Sequence, residues 1–367
     1  YYVLARSAAT TPTPDAVVLS AVLGATPPTT VTVNPRTTVA TAYAMAQFLD
    51  AGVISGSPLG IGNAASMSFN VADPVTGGIG AVLDGAPNGI ETSARATFNS
   101  LANLVAACVE SAVDCEAFRV AATPPGGTQP ADSLQALRNL VVQPAHNVLD
   151  VYALTQAGST PYGPSRDEPP AAWTLALRFA GDGRTLNGPG NFALDHEGNM
   201  WVAVNYTYAP PGEVACASNL LARFAPDGSY VAGSPYAGGG LSGAGYGIDI
   251  DRYGDVWVSN FGFAAAECAD QPPHDTLSRF SMTGEALSPP EGYQVDGVDW
   301  PQGMEFDAQG NLWVANCAGD SVTFLPDGDP TRARTLDGLG VTKPFDVAFG
   351  SDGNTYVTGT ESDNVAV

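Results

Sequence analysis

Lysine is almost absent from this 367-residue chain. Lys343 is the single example among 14 basic residues, which stand against 37 acidic ones for a formal net charge of −23. So anionic a surface repels phosphate backbones and anionic headgroups, which excludes nucleic acid and charged membrane surfaces as partners. Long apolar runs are missing too. The longest, such as Leu101–Val109, fall far short of the roughly 20 residues that a membrane span needs. Histidine occurs three times and cysteine five times, with no C-x-x-C pair, which excludes zinc ribbons and thioredoxin-type redox centres. No methionine and no charged, apolar leader precede Tyr1. A leader has been removed, or the chain is a piece of a longer polypeptide.

What is present points to architecture. The 44% hydrophobic content suffices for real cores, and 42 glycines with 29 prolines favour turn-rich β structure. The length suggests two or three domains. An acidic, lysine-poor surface with paired cysteines suits an oxidising, extracellular setting, secreted or at the cell surface. Cys108 and Cys115 are expected to be bridged. On a continuous helix their Cα atoms would stand roughly 10 Å apart, so the bond requires a break near Ser111–Asp114. Cys268 is expected to bridge to Cys216 or to Cys317, leaving one of the three unpaired within this stretch.

Residues 1–32 alternate apolar and small polar residues around Pro and Thr and read as the tail of a preceding β domain. Residues 33–157 read as a small all-α domain. Thr37-Thr38 can cap a helix running to Leu49 and ended by Gly52, and Glu91-Thr92-Ser93 can start another carrying Leu101, Leu104, Val105 and Cys108 on one stripe. Asp132-Ser133 caps a third, and Pro144, as a first-turn proline, opens a fourth. Residues 158–172 form a Pro-rich linker.

From Trp173 to Val367 the chain repeats. Ala193 to Val202, Asp249 to Val258 and Glu305 to Val314 superpose, with Asp195, Gly198 and Trp201 matching Asp251, Gly254 and Trp257, then Asp307, Gly310 and Trp313. A fourth copy carries Tyr356 in place of the tryptophan. A second unit recurs between them, with Arg178, Arg223 and Arg279 each preceding Phe. Every copy encodes strand, D-x-x-G turn, strand, loop, strand, P-D-G turn, strand, and Asp-Gly and Gly-Asn supply the positive φ that tight hairpins require. Four antiparallel strands per copy make a propeller blade.

The stretch Gly303–Asn316 resembles the repeat of NHL-type β-propellers, including streptogramin-lyase-like ones. The helical segment, through Thr37 to Ala40, Leu101 to Cys108, Ala121 to Gly127 and Asp132 to Gln135, resembles a region that precedes such repeats in large bacterial surface proteins. The resemblance implies a small all-α domain followed by an all-β propeller of four-stranded blades. For function it leaves lyases, lactonases and pure binding proteins open.

Streptogramin lyases use a histidine base with a carboxylate and magnesium, and that set maps onto no matching position here. His196 sits at a turn tip whose counterparts are Arg252, Ala308 and Ser351, which marks a solvated residue; His146 reads as structural or solvated. Asp249, Asp251 and Asp255 crowd seven residues, but two of them are explained by the turn repeat and the spacing lacks an EF-hand pattern. No metal and no cofactor is assigned. Asn205, Asn260 and Asn316 read as strand-end caps, the three tryptophans as packing, and the arginines as partners of nearby acids. The irregular parts are two insertions on one propeller face, Tyr206–Asn219 and Phe261–Thr276, which form a raised lip holding Tyr206, Tyr208, Phe261, Phe263, His274 and Asp275.

The leading expectation is therefore a non-catalytic binding or assembly module of a bacterial surface or secreted protein, taking a protein or surface-glycan partner through one propeller face, within a larger assembly. The alternative is a propeller enzyme of the streptogramin-lyase or lactonase type with a metal in the central channel. Counted from Trp173, the chain supplies the outer two strands of one blade and then three blades, the last ending in its third strand. Because about six blades are usual, two or three more are expected, with Trp173–Phe179 joining the closing blade. A compact ring of four blades is the other possibility.

Overall fold

Asn34, not Thr37, starts the first helix. Its side chain accepts the backbone N–H of Thr37 at 3.0 Å while Thr37 Oγ1 accepts the N–H of Asn34 at 3.0 Å, a reciprocal cap that places α1 at Pro35–Ala44. The protein, described by a computed structural model over residues 1–7 and 16–367, divides into the units Tyr1–Phe179 and Ala180–Val367.

The first unit opens with an antiparallel pair, β1 (Tyr2–Arg6) and β2 (Val18–Val22); residues 8–15 of the expected β tail lie outside the described residues. After α1 come a short hairpin, β3 (Leu49–Asp50) with β4 (Val53–Ile54), then α2 (Pro58–Val71), α3 (Ala81–Asp84), α4 (Ala94–Glu110), α5 (Ala112–Ala121), α6 (Ser133–Val142) and α7 (Val148–Thr155). Phe98, Leu101, Leu104 and Val105 of α4 form the centre of its core, with Phe118, Leu134, Leu137 and Val151 packed around them. Strand β2 belongs to the same core through Val18 and Val22, and Ser133 Oγ fastens it, donating to the Val18 carbonyl at 2.8 Å and accepting its N–H at 2.9 Å.

Two helix expectations are corrected and one helix was not foreseen. Helix α1 ends at Ala44, and Leu49 lies in β3. Helix α7 begins at Val148 because Asn147 takes a left-handed conformation, φ 47°, and its amide donates to the Ala121 carbonyl at 2.9 Å. Helix α2 carries Gly60 and Gly62 and lacks a large-residue stripe, so no periodicity announces it. The break near Ser111 is present. Ser111 is extended (φ −139°, ψ 124°) and caps α5 through the N–H of Asp114, so that Cys108 and Cys115 meet in a disulfide.

Trp173–Phe179 is not a blade strand and joins no blade. Trp173 is fully buried in the helical core, its carbonyl accepts the Tyr43 hydroxyl at 2.7 Å, and Asn88 holds both backbone groups of Arg178. Apolar packing on helices overrides the local Leu-x-Leu-Arg-Phe pattern, and Arg178 pairs with Glu91 rather than with a propeller acid.

The second unit is a β-propeller of four consecutive antiparallel blades. The first is β5 (Asn187–Leu194), β6 (Met200–Tyr206), β7 (Leu220–Phe224) and β8 (Tyr236–Ala237); the second is β9 (Ile248–Ile250), β10 (Val256–Asn260), β11 (Thr276–Phe280) and β12 (Tyr293–Gln294). The third is β13 (Pro301–Phe306), β14 (Leu312–Asn316), β15 (Ser321–Leu325) and β16 (Arg334–Leu336), and the fourth has three strands, β17 (Pro344–Phe349), β18 (Thr355–Gly359) and β19 (Asn364–Ala366). The inner strands adjoin in the order β5, β9, β13, β17. Three of them carry an irregular register just after a proline, at Pro189, Pro301 and Pro344, where a missing N–H makes a bulge inexpensive. The cores lie between blades: Trp201, Leu221 and Tyr236 meet Ile248, Val256 and Phe280, and Trp257 and Leu277 meet Met304, Leu312 and Val314.

Candidate functional site

Each blade hangs on one carboxylate. Asp195 Oδ1 accepts the N–H groups of Glu197 and Asn199, closing the turn, while Oδ2 accepts Trp201 Nε1 at 3.0 Å and Arg223 Nη2 at 2.7 Å. Burial pushes this carboxyl up, but the donors from Asn199, Arg223 and Trp201 outweigh it and hold it below the ordinary range. In the second blade Asp251 Oδ2 accepts Trp257 Nε1 at 3.1 Å and Arg279 Nη2 at 3.1 Å, and Arg279 also reaches Asp255 at 2.6 Å. In the third, Asp307 takes Trp313 Nε1 at 3.1 Å and Asn311 Nδ2 at 2.8 Å. Phe324 occupies the position across from Trp313 where the other blades have Arg223 and Arg279. The fourth copy has Gly350 at the turn position and moves the carboxylate to Asp352, which accepts the Tyr356 hydroxyl at 3.2 Å. Gly198, Gly254 and Gly310 hold positive φ in these turns.

Trp201 and Trp257 are fully buried, whereas Trp313 is only partly so. The difference follows from its neighbours. Trp201 stacks on Tyr236 and Trp257 on Tyr293, each with an arginine over the ring, while Trp313 has edge contacts to Phe324 and Phe349. The strand-end asparagines work as clamps: Asn260 donates to Thr276 and Ser278, and Asn316 donates to Ser321 and Thr323. Asn205 differs, since its buried Oδ1 has no partner.

Chain direction sorts the connections. Turns between first and second strands, and between third and fourth, leave on one side; the loops between second and third strands, and between blades, leave on the other. The two insertions therefore share this loop face, where the disulfide Cys216–Cys268 joins them. Cys317 is a free thiol, and burial raises it above the usual range, with Lys343 opposing and Glu361, Asp320 and Asp299 adding to the rise.

A chain of rings crosses this face. Tyr206 lies 5.6 Å from Phe263, which lies 4.4 Å from Phe261, and Phe261 meets Trp300 edge-on at 5.0 Å. His274 stacks on Trp300 at 4.0 Å, with Nδ1 2.8 Å from the Phe261 carbonyl. Gly262, at φ 78°, has no room for a Cβ, which would stand 2.5 Å from that imidazole nitrogen. Tyr246 bridges Phe263 at 6.2 Å and Phe345 at 5.0 Å, so the rings span all four blades. Tyr208 is 50% exposed, Trp300 38% and Tyr246 36%, and Asp275 is exposed beside them. Trp300 has φ 51° directly before Pro301, a conformation disfavoured for a bulky residue and doubly so before proline. It is held there by its N–H to the His274 carbonyl at 2.7 Å and by Cys317 N–H to its own carbonyl at 3.0 Å.

The insertions were visible in the sequence, but Tyr246, Trp300 and Phe345 were not singled out. All three sit beside the start of an inner strand, at Tyr246-Gly247, Trp300-Pro301 and Pro344-Phe345, and that recurring aromatic next to Gly or Pro was the available signal. Nor were Glu305 and Asp346. Burial raises Glu305, and the charges of Asp249 and Asp346 add to it; burial likewise raises Asp249 and Asp346. Asp346 fits against Gly303, where a Cβ would collide with it. Among the described residues no three His, Cys, Asp or Glu side chains stand close enough together to hold a metal ion. His196 is exposed on the turn side, and His146 Nε2 lies 2.8 Å from the Thr123 carbonyl in the helical unit.

No family model matches the chain, and no curated protein does. Solved structures similar to it include a catalytically inactive virginiamycin B lyase from Staphylococcus aureus with quinupristin (16% identity, 50% of this chain and 55% of that one, TM-score 0.32). A nidogen/laminin complex (20%, 49% and 59%, 0.33) and a gluconolactonase from Xanthomonas campestris (16%, 52% and 60%, 0.35) are similar as well. The chain spans between half and two thirds of the length of these proteins.

Proposed function

We propose that the second unit is an extracellular binding module that engages a partner protein through its loop face. One observation carries the reading. Trp300 is kept in a left-handed conformation ahead of a proline, with its ring part-exposed, stacked on His274 and edge-on to Phe261 at one end of an aromatic floor assembled from four blades. Strain of this kind persists where surrounding contacts over-determine it, and it gathers at binding surfaces. Aromatic rings are the residues that anchor protein interfaces. The inter-loop disulfide Cys216–Cys268 fixes the floor in advance, which lowers the ordering cost of association. Two disulfides accord with an extracellular setting.

Photo-crosslinking from two exposed tyrosines tests this. Tyr208 lies on the loop face and Tyr253, 69% exposed, on the turn side. With benzoylphenylalanine at 208, an adduct to one defined protein of the source cell's envelope is expected. The same residue at 253 gives none. Equal adducts from both positions, or none from 208, would refute the reading.

A further inference from the structure

The loop face also selects a partner by charge. This inference deepens the binding reading above and rests on it. The propeller unit has seven basic residues, and five lie away from the loop face: Arg223 and Arg279 bind the turn carboxylates Asp195 and Asp251, Arg252 and Arg332 sit on turn-side loops, and Arg334 opens β16. The loop face keeps two. Lys343 is ion-paired with Glu361, and Arg184 lies over the Tyr208 ring, 5.5 Å from its centre. Against these stand Glu213, Glu267, Asp270, Asp275, Asp296 and Asp299, all exposed and none in an ion pair. They lie in the loops that carry the part-exposed rings: Glu213 follows Tyr208 in the first insertion, Glu267, Asp270 and Asp275 belong to the second, and Asp296 and Asp299 precede Trp300.

An aromatic floor with an unpaired acidic rim suits one chemistry above others. Cations are attracted to ring faces, and a one-signed rim steers and registers a partner of opposite sign. Arg184 on Tyr208 is an internal instance of the contact such a surface offers. We propose that the loop face captures a Lys/Arg-rich polypeptide segment of a partner protein. The floor supplies stacking and cation–π contacts, and the rim supplies the sign selection. Neutral glycans gain nothing from the rim, and acidic polymers are repelled by it.

The test uses the intact chain and three fluorescent dodecapeptides, one bearing five arginines, one with those arginines replaced by glutamates, and one with them replaced by glutamines. Binding is read by anisotropy at two salt concentrations. The arginine peptide should bind at least tenfold more tightly than either of the others and weaken about tenfold between 50 and 300 mM salt. Trp300→Ala should weaken it severalfold, and Asp270→Asn with Asp275→Asn should weaken it and flatten the salt dependence. Glu285→Gln, an exposed turn-side acid, should change nothing. Equal binding of the three peptides overturns the charge selection, and so does an equal loss in Glu285→Gln, which would mean general adsorption to a polyanion. If the crosslink from Tyr208 forms while the arginine peptide fails, the partner chemistry is wrong and the binding face stands.

Discussion

Arg223 Nη2 lies 2.7 Å from Asp195 Oδ2, with both side chains buried, and the same oxygen accepts the ring N–H of Trp201. The pair ties the D-x-x-G turn to the third strand of its blade. Removing one partner of a buried ion pair leaves the other charge without compensation, which costs about 3 kcal/mol or more. Arg223 keeps a second, more exposed partner in Glu197 at 3.0 Å, so Asp195→Asn should lower stability by about 2 kcal/mol, the cost of the lost charged hydrogen bonds. Asp307→Asn should cost about 1 kcal/mol, because Asp307 receives only neutral donors. Urea denaturation followed by tryptophan fluorescence checks the contrast. Equal losses would mean that the arginine contributes nothing.

The cysteines give a second test. The Cys216–Cys268 bond closes a loop of 52 residues and Cys108–Cys115 one of seven. Chain-entropy scaling assigns about 4 kcal/mol to the first and about 2.5 kcal/mol to the second. Removing the propeller bridge by Cys216→Ser with Cys268→Ser should be the more destabilising change. Cys317 should titrate as the single thiol of the unreduced, denatured protein and react slowly when folded at pH 8, since its thiol is raised by burial. Counting thiols with and without denaturant decides. Rapid labelling of the folded protein would contradict the burial argument.

What could be read from the sequence depended on whether local chemistry or distant packing decides the outcome. The blades were legible because Asp195, Asp251 and Asp307 close their own turns and bind a tryptophan six residues on. The helix break at Ser111 was legible from the spacing of two cysteines. Other features were hidden, since they are set by residues far along the chain. Trp173 looks like the start of a strand, but its place is decided by Val148 and Tyr43. The aromatic floor draws on Tyr246 and Phe345, 99 residues apart. Cys268 could have bridged either neighbour, and only the packed loops choose Cys216.

The carboxylates predict an asymmetric response to pH. Asp249, Glu305 and Asp346 are raised, chiefly by burial, so each costs stability above its folded pKa, and the penalty fades as pH falls through that value. Asp195 and Asp307 are lowered because their donors outweigh burial, so their contribution is present above the ordinary carboxylate pKa and lost as pH falls below it. Stability should rise as pH falls from the alkaline side towards the ordinary carboxylate range at about pH 4, and fall below it. Glu305→Gln should flatten the upper limb and leave the acid limb unchanged. Thermal melts across this range give the answer, and a steady decline from pH 8 to pH 5 would contradict the assignment.

Trp173 offers a test that separates the two units. It is the one tryptophan of the first unit; Trp201, Trp257, Trp300 and Trp313 all belong to the propeller. Its side chain is fully buried beside α7, and truncating so large a core residue costs about 3–5 kcal/mol. Trp173→Ala also removes the only indole that reports on the helices, so the remaining fluorescence belongs to the blades. Far-UV circular dichroism at 222 nm, dominated by α1 to α7, should then show a clear drop in unfolding midpoint. The fluorescence transition should keep its wild-type position. If Trp173–Phe179 instead completed a blade, the fluorescence midpoint would fall and the helical signal would hold.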